Sequence, residues 1–257
     1  MKVDNIKIYD LEESIIASGY PMRTEAVIDK QEWLTIYNRL HPDKVHEIEG
    51  LNYEKADKAI KRCLNLAKAS NGNGAHGQWL TGVRVAFDLT CSNKMWVEAE
   101  RYRFLEFVSS QSTMHRIAKF DIDKQCNQYV DGRVMAIVDE LKDKYNEKPS
   151  TESYLKLLYN IPSGFELTAR VTTNYRCLLN IYIQRHDHRL PEWREFCEKL
   201  LELPLFKQLV DAYYNKQEEV IETINETETE SEEIQQLTLF DLDPEVYSEY
   251  QGDNVNV

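Results

Sequence analysis

Glu166-Leu167-Thr168-Ala169-Arg170-Val171-Thr172 is the stretch that decides the fold. Apolar and polar residues alternate along it, the period of a half-buried strand. It leads into Tyr175 to Arg185, where the apolar spacing becomes helical. A further helix follows over Glu192 to Leu203, Pro204 breaks it, and Phe206 to Tyr214 resumes as helix. Working outward, Val83 to Thr90 alternates as another strand, and Ile6 to Tyr9 as a short one. Helical patterns cover Leu11 to Gly19, Gln31 to Leu40, Tyr53 to Ser70, Val97 to Ser110, Arg133 to Lys144 and Thr151 to Leu158. Asn71-Gly72-Asn73-Gly74 stops the third of these, and a polar segment runs from the fourth to Tyr129. Few, widely separated strands among many helices predict an α+β body with a mixed sheet flanked by helices.

The chain has 257 residues and a net charge of −13. Residues 217–257 hold 13 acidic residues and no Lys or Arg, which leaves 31 acidic against 31 basic in residues 1–216. We expect a globular domain over 1–216 and an acidic, disordered tail over 217–257. The balanced body argues against direct nucleic-acid binding, which needs a basic surface for phosphates. No apolar run approaches the roughly 20 residues that span a bilayer, and no signal-peptide core follows Met1, so no membrane association is expected. The five cysteines are scattered without a Cys-x-x-Cys pair, the pattern of reduced thiols in the cytoplasm.

Two segments carry chemistry. The first runs from Gln111 through Met114-His115-Arg116-Ile117-Ala118-Lys119 to Cys126-Asn127-Gln128-Tyr129. The second runs from Thr173-Asn174-Tyr175-Arg176 through Arg185-His186-Asp187-His188 to Glu192-Trp193-Arg194. Arginine offers a planar fork for phosphate, carboxylate or a pyrimidine carbonyl, so several beside His and Asn suggest an anionic small-molecule site. The plainer alternative is that Arg116, Arg176 and Arg185 are ion-paired helix arginines. Cys126 has no identifiable partners for a nucleophile, and His186 and His188 face apart on a helix, so neither a thiol enzyme nor a metal site is expected. Tyr102, Phe104 and Phe107 are expected in core or interface.

In order and spacing, these elements resemble the flavin-dependent thymidylate synthases. That family carries an upstream His element, an Arg-His-Arg-x-x-Ser signature, a Ser-x-Arg-Tyr element, Asn-x-Arg on a later helix and a following Glu-x-Arg. Here Gly74-Ala75-His76 resembles the first, Met114 to Lys119 the signature, and Cys126 to Tyr129 the third. Asn174-Tyr175-Arg176 and Glu192-Trp193-Arg194 resemble the last two. The resemblance implies the thymidylate-synthase-complementing fold. It implies methylation of dUMP to dTMP with FAD, NADPH and methylenetetrahydrofolate, without a protein nucleophile. It places His76, His115, Arg116, Arg185 and His188 on the flavin side. It places Gln111, Lys119, Cys126, Gln128, Arg176 and Arg194 on the nucleotide, with Arg194 and Arg176 most directly tied to activity. It further implies a homotetramer with shared active sites, in a bacterial cytoplasm or a phage-infected host.

Met114 departs from the signature's first Arg, Lys119 from its Ser, and Gln128 from the Arg of Ser-x-Arg-Tyr. These departures leave open a pyrimidine nucleotide hydroxymethylase, or a non-catalytic relative that acts through its tail. In that tail, Gln236-Leu237-Thr238-Leu239-Phe240 resembles the peptide by which bacterial replication proteins dock on the sliding clamp. Leu239 and Phe240 would fill a pocket and Gln236 would bond at its rim. A segment that folds back on the body is the alternative.

Overall fold

The computed structural model describes residues 1–46, 49–69 and 75–215. The tail and its 236–240 motif lie outside the described residues. Residue contacts divide the chain into Met1–Tyr214 and Asn215–Val257.

Strands β1 (Lys2–Tyr9), β2 (Arg84–Ser92), β3 (Glu106–Ser110) and β4 (Glu166–Asn174) form one sheet in the order β1-β2-β4-β3. All three pairings are antiparallel, which corrects the expected mixed sheet. The reason is where the chain returns: Ser92, the last residue of β2, pairs with Glu166, the first of β4. The long excursion between them comes back to the end of the sheet that it left, and antiparallel pairing follows.

Helices α1 (Leu11–Ala17), α2 (Lys30–Leu40), α3 (Tyr53–Ala69) and α4 (Trp79–Gly82) precede β2. Helix α5 (Asn93–Ala99) follows it. The sequence pattern runs Val97 to Ser110 as one helix; the structure ends α5 at Ala99 and makes Glu106–Ser110 strand β3. Pairing decides it. Without β3, one edge of β4 would carry unpaired backbone groups, and Phe107 as a strand residue packs on Trp96, ring centroids 4.6 Å apart. The polar segment after it is also structured, with short helices α6 (Thr113–Arg116) and α7 (Ile122–Gln125). Helices α8 (Gly132–Glu147) and α9 (Thr151–Tyr159) come next, then α10 (Tyr175–Arg185) and α11 (Pro191–Leu200) after β4. Residues 206–215 are helical.

Two cores result. The larger packs Val85, Phe87, Leu89 and Cys91 of β2 and Ala169 and Val171 of β4 against Ile15, Tyr175, Leu178, Trp193 and Phe206. The smaller gathers Ile117, Ile122, Val138, Leu157 and Phe165 beneath α7 to α9. The opposite face of the sheet is polar, with Arg84, Asp88, Thr90, Thr168, Arg170 and Thr172 in register across β2 and β4. No helix among the described residues is long and apolar enough to cross a membrane.

Candidate functional site

The corner between β4 and α10 builds the site. Asn174 closes the strand and caps the helix, its Oδ1 accepting from the Cys177 N–H at 2.9 Å. Tyr175 turns into the core with no exposure, and its hydroxyl donates to the Pro204 carbonyl at 2.9 Å. Arg176 therefore turns the other way, into a cavity of about 900 Å³. Asn180 and Gln184 continue the same face at four-residue steps, with Arg185 beside them. The turn carrying Gln78 forms a second wall, and its Oε1 accepts from Arg176 Nη1 at 3.1 Å. Arg101, Tyr102, Arg103 and Phe104, in the link between α5 and β3, form a third, and Arg84 stands at the start of β2.

Five arginines thus line one cavity, and among the described residues no carboxylate lines it. Among the described residues, Arg84, Arg101 and Arg103 form no ion pair with a carboxylate. Arg185 does. Its Nη1 donates to Glu98 at 2.9 Å, its Nε donates to the Tyr102 hydroxyl at 2.8 Å, and its guanidinium stacks 5.0 Å from the Trp193 ring centroid. Glu98 also accepts from Trp193 Nε1 at 3.0 Å and pairs with Lys94 at 3.2 Å. Desolvation alone would raise the Glu98 pKa; the Trp193 and Lys94 hydrogen bonds and the charges of Arg185 and His188 outweigh it and hold the carboxyl below its ordinary range. Of the two arginine alternatives, Arg185 shows both: it is ion-paired and it lines the cavity, which Arg176 lines too.

The other expected site residues fall in two places. His188 stands next to Arg185, Nε2 2.8 Å from its Nη1, and its Nδ1 accepts from the Leu190 N–H. Arg194 does not line the cavity: its Nη1 donates to the carbonyls of His188 at 2.6 Å and Arg189 at 3.2 Å, bracing the turn before α11. Glu192 is buried and clamps that helix to Ser92, accepting from its backbone N–H at 2.7 Å and its hydroxyl at 2.6 Å. His76 is exposed in the turn that carries Gln78. His186 stacks on Tyr182, away from His188.

Gln111, His115, Arg116, Lys119, Cys126 and Gln128 lie elsewhere. The Oε1 of Gln111 accepts from the Thr168 N–H at 2.9 Å, at the opposite end of β4 from Asn174. At roughly 3.3 Å per residue, those two ends are about 20 Å apart. His115, Arg116, Lys119 and Gln128 are exposed there, and Cys126 bridges to Phe165. Burial, then the nearby charges of Asp123, Asp139 and Glu166, raise the Cys126 thiol pKa, so it is a poor nucleophile.

Sequence reasoning missed Arg84, Gln78, Asn180 and Gln184, and above all Arg101-Tyr102-Arg103. The signal for the last was present: it has the Arg-x-Arg spacing of the family signature with Tyr in place of His. Assignment to a continuous Val97–Ser110 helix hid it.

No protein-family profile matches the sequence, and no curated protein matches it. Solved structures do. The fold is that of the flavin-dependent thymidylate synthases. Two structures of ThyX from Helicobacter pylori, each with FAD and dUMP, share 14% identity, with TM-scores of 0.57 and 0.54. The first match covers 82% of this chain and 97% of that one; the second covers 83% and 99%. The UMP/dUMP methylase PolB from Streptomyces cacaoi, bound with 5-Br dUMP, shares 12% identity over 83% of this chain and 95% of that one, TM-score 0.50.

Proposed function

We propose that this chain is a flavin-dependent pyrimidine nucleotide methylase that converts dUMP to dTMP with FAD, NADPH and methylenetetrahydrofolate. The observation that carries this reading is the convergence of five guanidinium groups on one cavity with no carboxylate among its described lining residues. A dinucleotide and a nucleoside monophosphate bring several phosphates, and planar guanidinium forks suit them. The cavity volume lies within the range of small-molecule and cofactor sites. The fold likeness to FAD- and dUMP-bound ThyX supports the same reading.

Bound flavin would supply the redox chemistry that carries a one-carbon unit to the pyrimidine. The chain's own part is positioning. Arg176, steadied by Gln78, and Arg101, Arg103 and Arg84 hold phosphates. Asn180 and Gln184 offer amides to ring carbonyls. Arg185 is fixed by Glu98, Tyr102 and Trp193 before any ligand arrives, and such preorganisation favours a charged transition state. Arg194 acts through the turn that carries His188. The cysteine in the cavity wall, Cys177, has its pKa raised mainly by burial, which favours the thiol and fits a reaction without a protein nucleophile.

Gln111, His115, Arg116, Lys119, Cys126 and Gln128 sit too far along β4 to serve this cavity in the same chain. They serve that of a neighbouring copy, in an oligomer that we take to be the homotetramer. The tail segment Gln236, Leu237, Leu239 and Phe240 docks the enzyme on a bacterial sliding clamp; equal clamp retention of the Phe240→Ala variant would remove that part.

The test of the reaction is turnover of dUMP, with UMP and dCMP in parallel, in FAD, NADPH and methylenetetrahydrofolate. Product analysis separates methylation from hydroxymethylation. The purified protein should show absorbance near 370 and 450 nm, as roughly any oxidised flavoprotein does. Failure both to co-purify with flavin and to bind added FAD would end the proposal.

A further inference from the structure

Four side-chain amides line the arginine cavity: Gln78, Asn174, Asn180 and Gln184. A primary amide can offer a ligand its oxygen or its nitrogen, and which end it offers follows from what the protein has already bonded. In all four the oxygen is taken. Asn174 Oδ1 accepts from the Cys177 N–H at 2.9 Å, and Gln78 Oε1 accepts from Arg176 at 3.1 Å. Gln184 Oε1 accepts from the Tyr102 hydroxyl at 3.1 Å, and Asn180 Oδ1 accepts from Gln184 Nε2 at 3.1 Å.

The last two bonds form a relay whose direction has one source. Arg185 Nε carries a hydrogen and no acceptor lone pair, so in its 2.8 Å contact with Tyr102 the phenol oxygen must accept. The phenol's single hydrogen is then left to donate. Burial raises the Tyr102 pKa, against the hydrogen bond and charge of Arg185, so that hydrogen is present at neutral pH. Gln184 therefore turns its oxygen to Tyr102 and its nitrogen to Asn180, and Asn180 turns its oxygen to Gln184. What remains for a ligand is N–H. Both hydrogens of Asn180 Nδ2 and the second hydrogen of Gln184 Nε2 have no protein partner among the described residues. The His of the family signature could not serve here, because no imidazole nitrogen accepts and donates at once. The source itself is fixed: Glu98 holds Arg185, and the Trp193 ring stands edge-on to Tyr102 at 5.9 Å.

We propose that Tyr102 is a positioning residue that sets this wall as a hydrogen-bond donor, so that the cavity selects a ring carbonyl over a ring amine. An oxo-pyrimidine nucleotide fits such a wall; an amino-pyrimidine brings a donor to a donor. The inference rests on the nucleotide-binding reading above and adds what the wall selects and which residue sets it. Flavin ring carbonyls carry the same chemistry, so the test separates the two sources.

The test titrates dUMP, dCMP and FMN into the full-length wild-type chain, Tyr102→Phe, Gln184→Ala and the double variant, by calorimetry. Tyr102→Phe keeps the ring and removes the hydroxyl. Gln184→Ala is a change at an exposed residue that cuts the relay and leaves Arg185 with its partners. A donor that meets a donor should make the wild type bind dUMP at least about tenfold tighter than dCMP. Each single variant should bring the two within about threefold, mainly through weaker dUMP, and the double variant should do no more, because both changes cut one relay. If FMN instead weakens about tenfold in both variants while the nucleotides hold, the carbonyl is the flavin's and the relay stands. Equal losses of all three ligands overturn it, as a purely structural role would give them. So does a dUMP preference that survives both variants with FMN unmoved. So does a wild type that binds dUMP and dCMP alike with FMN unmoved by either variant, or one that binds neither nucleotide nor flavin. A dUMP preference with the expected sensitivity, in a chain that binds no flavin, leaves the relay standing and removes the flavin enzyme.

Discussion

Removal of the Glu98 carboxylate should unlock Arg185 and destabilise the whole body. Glu98 is 13% exposed and Arg185 16%. The carboxylate accepts from Arg185 at 2.9 Å and from Trp193 at 3.0 Å. Hydrogen bonds to a charged group contribute about 1.5–3 kcal/mol each, and loss of one partner of a mostly buried pair leaves the other uncompensated. Lys94, at 3.2 Å, is exposed enough to return to water and contributes little. Glu98→Ala should then cost about 3–4 kcal/mol. At roughly 2–4 °C per kcal/mol for a body of this size, Tm falls by about 6–16 °C. Glu98→Gln, which keeps an acceptor but not the charge, should fall between. The pH dependence has a definite sign. The folded-state pKa of Glu98 is lowered, so its contribution is full above the ordinary value of 4.5 and is lost as pH falls through the folded value. The wild-type advantage over Glu98→Ala should be constant from about pH 6 to 8 and shrink on acidification below about pH 4.5. Calorimetric scans across that range measure both effects. A Tm for Glu98→Ala within 2 °C of wild type at pH 7, or an advantage that grows on acidification, would refute the argument.

Arg176→Ala should weaken nucleotide or FAD binding by at least about tenfold while Tm moves little, and Arg176→Lys should not restore it, because a point charge lacks the bidentate fork; equilibrium binding beside a thermal scan checks both. Tyr175→Phe deletes the hydroxyl that donates to Pro204 in the core and leaves the buried carbonyl without that donor. About 1–2 kcal/mol should be lost in denaturant unfolding with no change in ligand affinity. Cys63, Cys91, Cys177 and Cys197 are buried, and burial pushes the Cys63 thiol to about 11 and Cys197 to about 12. A maleimide at pH 7.5 should therefore label Cys126 first in the native chain, with the other four reacting on unfolding, as intact-mass measurement would show.

The central strands were legible because each buries one face: Val85, Phe87, Leu89 and Cys91 alternate with polar residues, as do Leu167, Ala169 and Val171. Strand β3 was not. It has five residues and a register irregularity between Phe107 and Ser109, so its period is broken. It exists because β4 has an edge to pair, and an edge is a tertiary fact. The same error hid Arg101 and Arg103, since a helix would have turned them to unrelated faces. Arg176 and Arg185 were legible because the capped helix fixes their direction from Asn174 onward. The place of Arg194 was not, because whether a guanidinium enters a cavity or bonds to a turn depends on where the His188 and Arg189 carbonyls point, which the sequence does not state.

A body with as many acidic as basic residues can still present a cation-lined cavity if its acids stand behind the arginines and not among them. Asp88 pairs with Arg170 on the open face, and Glu98 sits behind Arg185. Arg84, Arg101, Arg103 and Arg176 line one space. Like charges held together oppose folding unless an anion joins them, so an anionic ligand that binds there stabilises the native chain by mass action.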